Sequence, residues 1–265
     1  AFEVEGISLQ VGASIGIARF PVDGDDPDTL TKNADTAMYA AKSAGRNTSR
    51  HYSHALGEGI SQHLKVKAQI AHGLQQREFS LELQPLVDLA SGRVQSLEAL
   101  LRWDHPERGR VLPEQFIPIA EESGLIMELG EFAIRGAIQL ARELRQEVWA
   151  EARVAVNVSR RQLAAPGLVD FIVGELGRCG LPGAALIVEV TESMVMGNLD
   201  QASQVLHSLR EAGVSAAIDD FGTGYSSLAY LKQLPLSCLK LDRSFVMDIE
   251  HDPNDAAISA AAIQL

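Results

Sequence analysis

An α/β fold of the TIM-like (β/α)8 barrel type, preceded by a piece of a second α/β unit, is what the 265-residue sequence predicts. Three observations predict it. From residue 113 onward short apolar runs alternate with stretches of helical period, a rhythm that calls for a parallel sheet with helical crossovers. An antiparallel hairpin pattern stands immediately before that rhythm. Polar residues then recur late in successive apolar runs, and in such barrels that end of the strand carries the chemistry.

Composition sets limits. With 46% hydrophobic and 22% charged residues the chain is globular, and a formal charge of −12, from 23 basic and 35 acidic residues, argues against a broad nucleic-acid or anionic-membrane surface. A local basic pocket for phosphates stays compatible with that charge, and a phosphate ligand would call for metal ions. Cys179 and Cys238 have no neighbour at metal-ligand or redox spacing, which points to a reducing cytoplasm. No signal peptide or spanning apolar run occurs, so this portion is expected to be soluble, with any membrane anchor upstream. The start at Ala1 and the stop at Leu265, inside an apolar helical pattern, are expected to be truncations.

Taken in order, residues 7–20 are expected to form a strand, with Val11, Ile15 and Ile17 among glycines 12 and 16. From Pro27 the period becomes helical through Leu30, Ala34, Ala37, Met38 and Ala41, and Gly45 supplies the stop. Lys42 and Arg46 are one turn apart at that end, able to reach one anion or simply to complement the helix dipole. Residues 53–78 read as a connecting helix, with Ile60, Leu64, Ala68, Ala71 and Leu74 at helical spacing. Residues 81–87 and 93–103 form the hairpin, and period two puts Glu98, Leu100 and Arg102 on one face. Glu98 and Arg102 could neutralise each other there or share a phosphate. Helices are expected at 114–122, 127–147, 167–179, 199–212 and 226–233, and strands at 153–158, 186–190, 214–220 and 238–242.

The stretch from Val214 to Leu228 is the centre of the pattern: small and apolar residues run into Asp219 and Asp220, then into a turn with Gly222 and Gly224. Adjacent carboxylates repel and are costly to desolvate, so they persist most easily beside a cation. They can serve one site only where the chain leaves strand geometry between them. Glu98, Asn157, Glu189, Asp219, Asp220 and Lys240 all fall late in apolar strands. Any one alone would read as a helix cap or a satisfied interior group; together they converge. Four carboxylates and an amide are hard oxygen donors suited to Mg²⁺ or Mn²⁺, and two such ions form the clamp used in phosphoryl displacement.

Two resemblances complete the reading. The segments 14–18, 34–42 and 45–47 (SIGIA, ADTAMYAAK and GRN) resemble the C-terminal third of a GGDEF diguanylate cyclase domain. That resemblance implies GTP-phosphate contacts for Lys42 and Arg46, with residues 1–52 as the C-terminal part of a cyclase-like domain whose name-giving segment would precede Ala1. The segments 98–100, 102–106, 116–118, 157–159, 189–192 and 219–228 (EAL, RWDHP, FIP, NVS, EVTE and DDFGTGYSSL) resemble the EAL-domain cyclic-di-GMP phosphodiesterases, continuously over 79–265. The resemblance implies a barrel with an antiparallel early strand and hydrolysis of cyclic-di-GMP to linear pGpG with two Mg²⁺ or Mn²⁺ ions. It implies metal ligation by Glu98, Asn157, Glu189 and Asp219, with Asp220 at or beside the second ion. Lys240 would hold the attacking water, Gln84, Leu100 and Arg102 would line the dinucleotide site, and Glu192 would anchor the loop after Asp220. That loop couples dimerisation to activity in the family, so a homodimer through the barrel is expected.

Two departures from the family stand out. Leu83 replaces an aromatic residue, with a small expected effect on packing or base stacking. The Ala-Glu-Gly-Val-Glu segment with its general-base glutamate is expected beyond Leu265, together with the last barrel strands, so residues 1–265 alone are expected to be inactive or nearly so. Three readings stay open at this level: a phosphodiesterase, a receptor that binds cyclic-di-GMP without cleaving it, and a module regulated by GTP.

Overall fold

Side-chain alternation at period two decides the larger part of this architecture. The computed structural model describes residues 2–4, 7–9, 12–222 and 233–263, in two units, 1–72 and 73–265.

In the first unit β1 (Phe2–Val4) and β2 (Ile7–Leu9) form an antiparallel pair, and β3 (Ile15–Ile17) and β4 (Ser49–His51) a parallel pair. The one strand expected over 7–20 is therefore two strands in different sheets, with irregular chain at 12–14. A Cβ on Gly12 would stand 2.6 Å from the Asn47 amide oxygen, so this glycine marks a close approach between segments. Helix α1 (Pro27–Ser43) begins with Asp26 accepting from the Thr29 amide and Pro27 in the first turn, and it buries Ala37 and Ala41. It crosses β3 at Gly16, where a Cβ would lie 1.9 Å from the Ala34 carbonyl oxygen. Only glycine fits there. The helix stops at Ser43 and Gly45 takes φ +99°, as its position predicts. Helix α2 (His54–Gln76) follows, and the division between the units falls at its last turn.

In the second unit β5 (Phe79–Val87) and β6 (Val94–His105) make the expected hairpin, with Gln84 opposite Glu98. β6 then pairs in parallel with β8 (Val154–Asn157), β8 with β9 (Leu186–Thr191), β9 with β10 (Ser215–Phe221), and β10 with β11 (Cys238–Leu241). Among the described residues the strands form an arc in the order β5-β6-β8-β9-β10-β11. β6 touches β8 only from Leu97 to Ala99; its upper half runs on and pairs with β7 (Gly109–Val111), a short strand whose signal is too brief to read from sequence.

The connecting helices are α3 (Pro113–Ser123), α4 (Ile126–Glu147), α5 (Arg160–Ala164), α6 (Leu168–Cys179), α7 (Glu192–Gly197), α8 (Leu199–Glu211), α9 (Ser244–Met247) and α10 (Pro253–Ile263). The short α5 and α7 were not evident from period because neither completes two turns. The helix expected over 226–233 lies outside the described residues except for Gln233, which is in a turn.

The outward parity of the parallel strands, including Val154, Val156, Leu186, Val188 and Ile218, packs against Ile134 and Ile138 of α4, Ile172 of α6 and Leu206 and Leu209 of α8. Each such aliphatic side chain contributes about 1.5–3 kcal/mol by leaving water. Inward parity is occupied by Ala155, Ile187 and Ala217, a small separate cluster. The next inward residues up the strands are Asn157, Glu189 and Asp219, so the pleat itself delivers polar groups to one end. Trp103 and Phe116, part of the motifs noted above, are core: Trp103 stacks on Phe79 with centroids 5.3 Å apart, meets Phe116 edge-on at 5.5 Å, and donates from Nε1 to Glu78 at 2.9 Å.

Candidate active site at the strand ends

Lys240 organises the upper end of the arc. Its Nζ donates to Glu98 Oε2 at 2.8 Å, Glu189 Oε2 at 2.7 Å and Asp219 Oδ2 at 3.2 Å. These residues come from β6, β9, β10 and β11, as far apart in sequence as 142 positions. Carboxylate oxygens of Glu98, Glu189 and Asp219 all lie within 4.8 Å of one another. Asn157 joins from β8, its side-chain amide donating to Glu98 Oε1 at 2.9 Å. Just past it, Ser159 and Gln162 form a capping box that turns the chain from β8 into α5.

β10 breaks its ladder around Asp219 and Asp220, so strict strand alternation does not govern the two carboxylates. Asp219 joins Glu98 and Glu189, whereas Asp220, beside it in sequence, is exposed. The register with β11 shifts between Ile218 and Phe221, and Asp220 adopts φ +53°, a left-handed conformation that aspartate tolerates better than most residues. The Asp220 amide donates to Asp219 Oδ1 at 3.0 Å. Gly222, at φ +101°, donates its amide to Glu192 Oε2 at 2.8 Å, and Glu192 is 1% exposed. Glu192 thus holds the first residue after the strand. The rest of the Gly222–Leu228 motif, from Thr223, lies outside the described residues.

Electrostatics follow from burial. Glu189 is 1% exposed, and desolvation pushes its carboxyl up to about 7 despite the hydrogen bond from Lys240. Burial alone would lower the Lys240 ammonium, but hydrogen bonds to Glu189 and Glu98 outweigh it and hold the group above its ordinary range. The Asp220 carboxyl is raised by burial, then by the charges of Asp219 and Asp242. Asp242, two residues beyond Lys240 and held by the Ser244 amide at 2.9 Å, was not singled out in the sequence. The same period-two step that links Lys240 to Cys238 would have found it.

The remaining candidates separate. Gln84 stands opposite Glu98 on the hairpin, and Leu100 opposite Glu82. Arg102 does not neutralise Glu98; its Nε donates to Glu82 at 2.7 Å instead. Leu83 packs against the main core, the other parity from Gln84. Lys42 lies in the last turn of α1, whereas Arg46 lies beyond it with φ +63°, so the helical one-turn relation expected between them does not hold.

The donor set fits a hard divalent cation. Three carboxylates already converge on one positive group, one of them almost fully buried, and every donor is oxygen or the adjoining amide. Fold and site define a class: barrel proteins with an acidic centre at the C-terminal strand ends. Residues 67–265 match the EAL domain family, and residues 1–48 match the diguanylate cyclase GGDEF domain family. The chain belongs to the EAL-domain family, with a GGDEF segment before it.

Two relatives from Pseudomonas aeruginosa are each 41% identical. They are the cyclic di-GMP phosphodiesterase NbdA, over 99% of this chain and 34% of that protein, and the bifunctional diguanylate cyclase/cyclic di-GMP phosphodiesterase MucR, over 100% and 38%. The chain therefore spans just over a third of the length of these curated relatives. Among solved structures, the PaMucR phosphodiesterase in complex with c-di-GMP superposes with a TM-score of 0.70 at 44% identity, over 74% of this chain and 81% of that one. The EAL enzyme Bd1971 with cAMP and cyclic-di-GMP bound gives 0.73 at 34% identity, over 78% and 57%. No helix among the described residues is long and apolar enough to cross a membrane.

Proposed function

We propose that the full-length protein hydrolyses one phosphodiester bond of cyclic-di-GMP to give linear pGpG, in the cytoplasm, with two Mg²⁺ or Mn²⁺ ions. The observation that carries this reading is the convergence of Glu98, Glu189 and Asp219 on Lys240 at the strand ends. The names of the relatives and the cyclic-di-GMP in the solved neighbours support the substrate.

Glu98, Asn157, Glu189 and Asp219 would hold the ions, with Asp220 serving the second. When bound, such ions supply Lewis-acid activation of water and neutralise charge on the phosphate. Lys240, kept protonated by its three carboxylates, would turn one of its three N–H groups from a carboxylate to the attacking water and orient it. Water forms the new bond to phosphorus and the ribose 3′ oxygen leaves, since the product keeps its 5′ phosphate. Gln84, Leu100 and Arg102 would line the dinucleotide, Arg102 taking phosphate oxygens through its planar fork. Glu192 anchors the turn after Asp220 through the Gly222 amide, the loop through which a homodimer would tune activity. In a complete upstream domain Lys42 and Arg46 would serve GTP phosphates. The domain division we adopt is 1–52, 53–78 and 79–265.

The test is product analysis: full-length protein with cyclic-di-GMP and Mn²⁺, an Asp219→Asn variant alongside, and pGpG followed by chromatography. Formation of pGpG that vanishes in the variant is expected. Intact substrate with folded wild-type protein would overturn the hydrolase reading.

A further inference from the structure

The upper half of β6 carries a second charged group. Beyond Ala99 the strand leaves β8 behind, so Leu100, Arg102 and Asp104 continue past the acidic centre on the same face as Glu98. Arg102 lies four residues, about 13 Å, along the strand from Glu98. Glu82 of β5 sits opposite Leu100, diagonal to Arg102, within reach of long side chains.

Glu82 uses both of its oxygens. Oε2 accepts from Arg102 Nε at 2.7 Å, and Oε1 accepts from Nη1 of Arg110 on β7. Arg110 Nε donates in turn to Asp104 Oδ1 at 3.1 Å, and Asp104 Oδ2 accepts from Ser80 at 3.1 Å. Arg102 Nη1 also donates to the Leu101 carbonyl at 3.0 Å. Arg102 is thereby held at Nε and Nη1, and among the described residues its Nη2 has no hydrogen-bond partner. The two arginines and two acids sum to zero, so Glu82 does not present the uncompensated negative charge that would repel a dianionic ligand. Of the two arginines, Arg102 is the more enclosed, with 20% of its side chain exposed against 48% for Arg110.

We propose that Glu82 is a positioning residue for Arg102, fixing the guanidinium so that its free edge meets a phosphate oxygen of the substrate, and that Arg110 holds Glu82 in place. This deepens the hydrolase reading above and rests on it for the identity of the substrate. A guanidinium already ordered loses less freedom on binding, so the benefit is realised in affinity and is the same in ground and transition states.

The experiment is a double-mutant cycle in the full-length protein: wild type, Glu82→Gln, Arg102→Ala and the double variant, with initial rates of cyclic-di-GMP hydrolysis in Mn²⁺. Because the pair is partly exposed, Glu82→Gln should raise KM by about fivefold with kcat within about twofold, and should add nothing in the Arg102→Ala background. An unchanged KM in Glu82→Gln would overturn the proposal. So would a loss of kcat alone, or the same rise in KM without Arg102. A wild-type protein with no turnover sinks the hydrolase reading by itself, and the same cycle read in equilibrium affinity for cyclic-di-GMP then decides the role of Glu82.

Discussion

Replacing Lys240 by methionine removes one ammonium from three carboxylates while keeping most of the side-chain length. Breaking a buried charge pair costs about 3–5 kcal/mol. Lys240 is 19% exposed and Asp219 22%, so the low end, about 3 kcal/mol at pH 7, is expected in divalent-free buffer. A ceiling operates because a carboxylate left without its partner can take up a proton. Glu189, already raised to about 7, takes up its proton at pH 7 at little further cost, so the penalty rests on Glu98 and Asp219. For a carboxylate that titrates at the ordinary glutamate value in the unfolded chain, uptake costs about 3.7 kcal/mol at pH 7 but only about 1 kcal/mol at pH 5. The penalty of Lys240→Met should therefore shrink to about 1 kcal/mol at pH 5. Mn²⁺ should restore most of the loss at pH 7 by replacing the missing charge. Amide exchange over β9 and β10 reads the effect within this unit of the full-length protein. A penalty that is absent at pH 7, or equal at both pH values, would refute the account of the cluster as carboxylates held by one cation.

Three further outcomes follow from the same geometry. Because the Glu189 carboxyl is raised to about 7 by burial, the native state favours its protonated form. The associated stability, about 3 kcal/mol, is complete below pH 4.5 and is lost as pH rises through 7; the wild-type minus Glu189→Gln difference in urea unfolding should trace that decline. Asp220→Asn should keep the fold and lose activity. Asp220→Val should lose an additional ~1–2 kcal/mol in thermal unfolding, since a β-branched residue resists φ +53°. Ser159→Ala should cost about 1 kcal/mol by removing a helix cap, and, because that cap fixes the chain just beyond Asn157, weaken Mn²⁺ binding in calorimetric titration.

Much of the site was legible before any coordinates. Asn157, Glu189, Asp219 and Lys240 fall in the later halves of their strands, as expected, and period two fixes which way a strand residue faces. Glu98 does not, being fifth of twelve residues in β6, because that strand runs on past its pairing with β8 to pair with β7. The Asp219–Asp220 pair even predicted its own requirement, a departure from strand geometry, which the register shift and the positive φ of Asp220 satisfy. The missed elements are short. β7, α5 and α7 are too brief for periodicity to register, and β2 and β3, of three residues each, join different sheets, which is set by partners distant in sequence.

By itself the sequence determined which residues are apolar, at what period, and where carboxylates fall along the strands. Local sterics and burial settle those matters within a few residues. Only the tertiary structure decided who pairs with whom. Glu98 takes Lys240 across 142 positions rather than Arg102 four residues away, and Arg102 takes Glu82. Residues four apart on one strand are separated by about 13 Å, whereas strands side by side in a sheet lie about 5 Å apart. Charge partners are thus set by strand order and register, which become physical facts once the sheet is assembled.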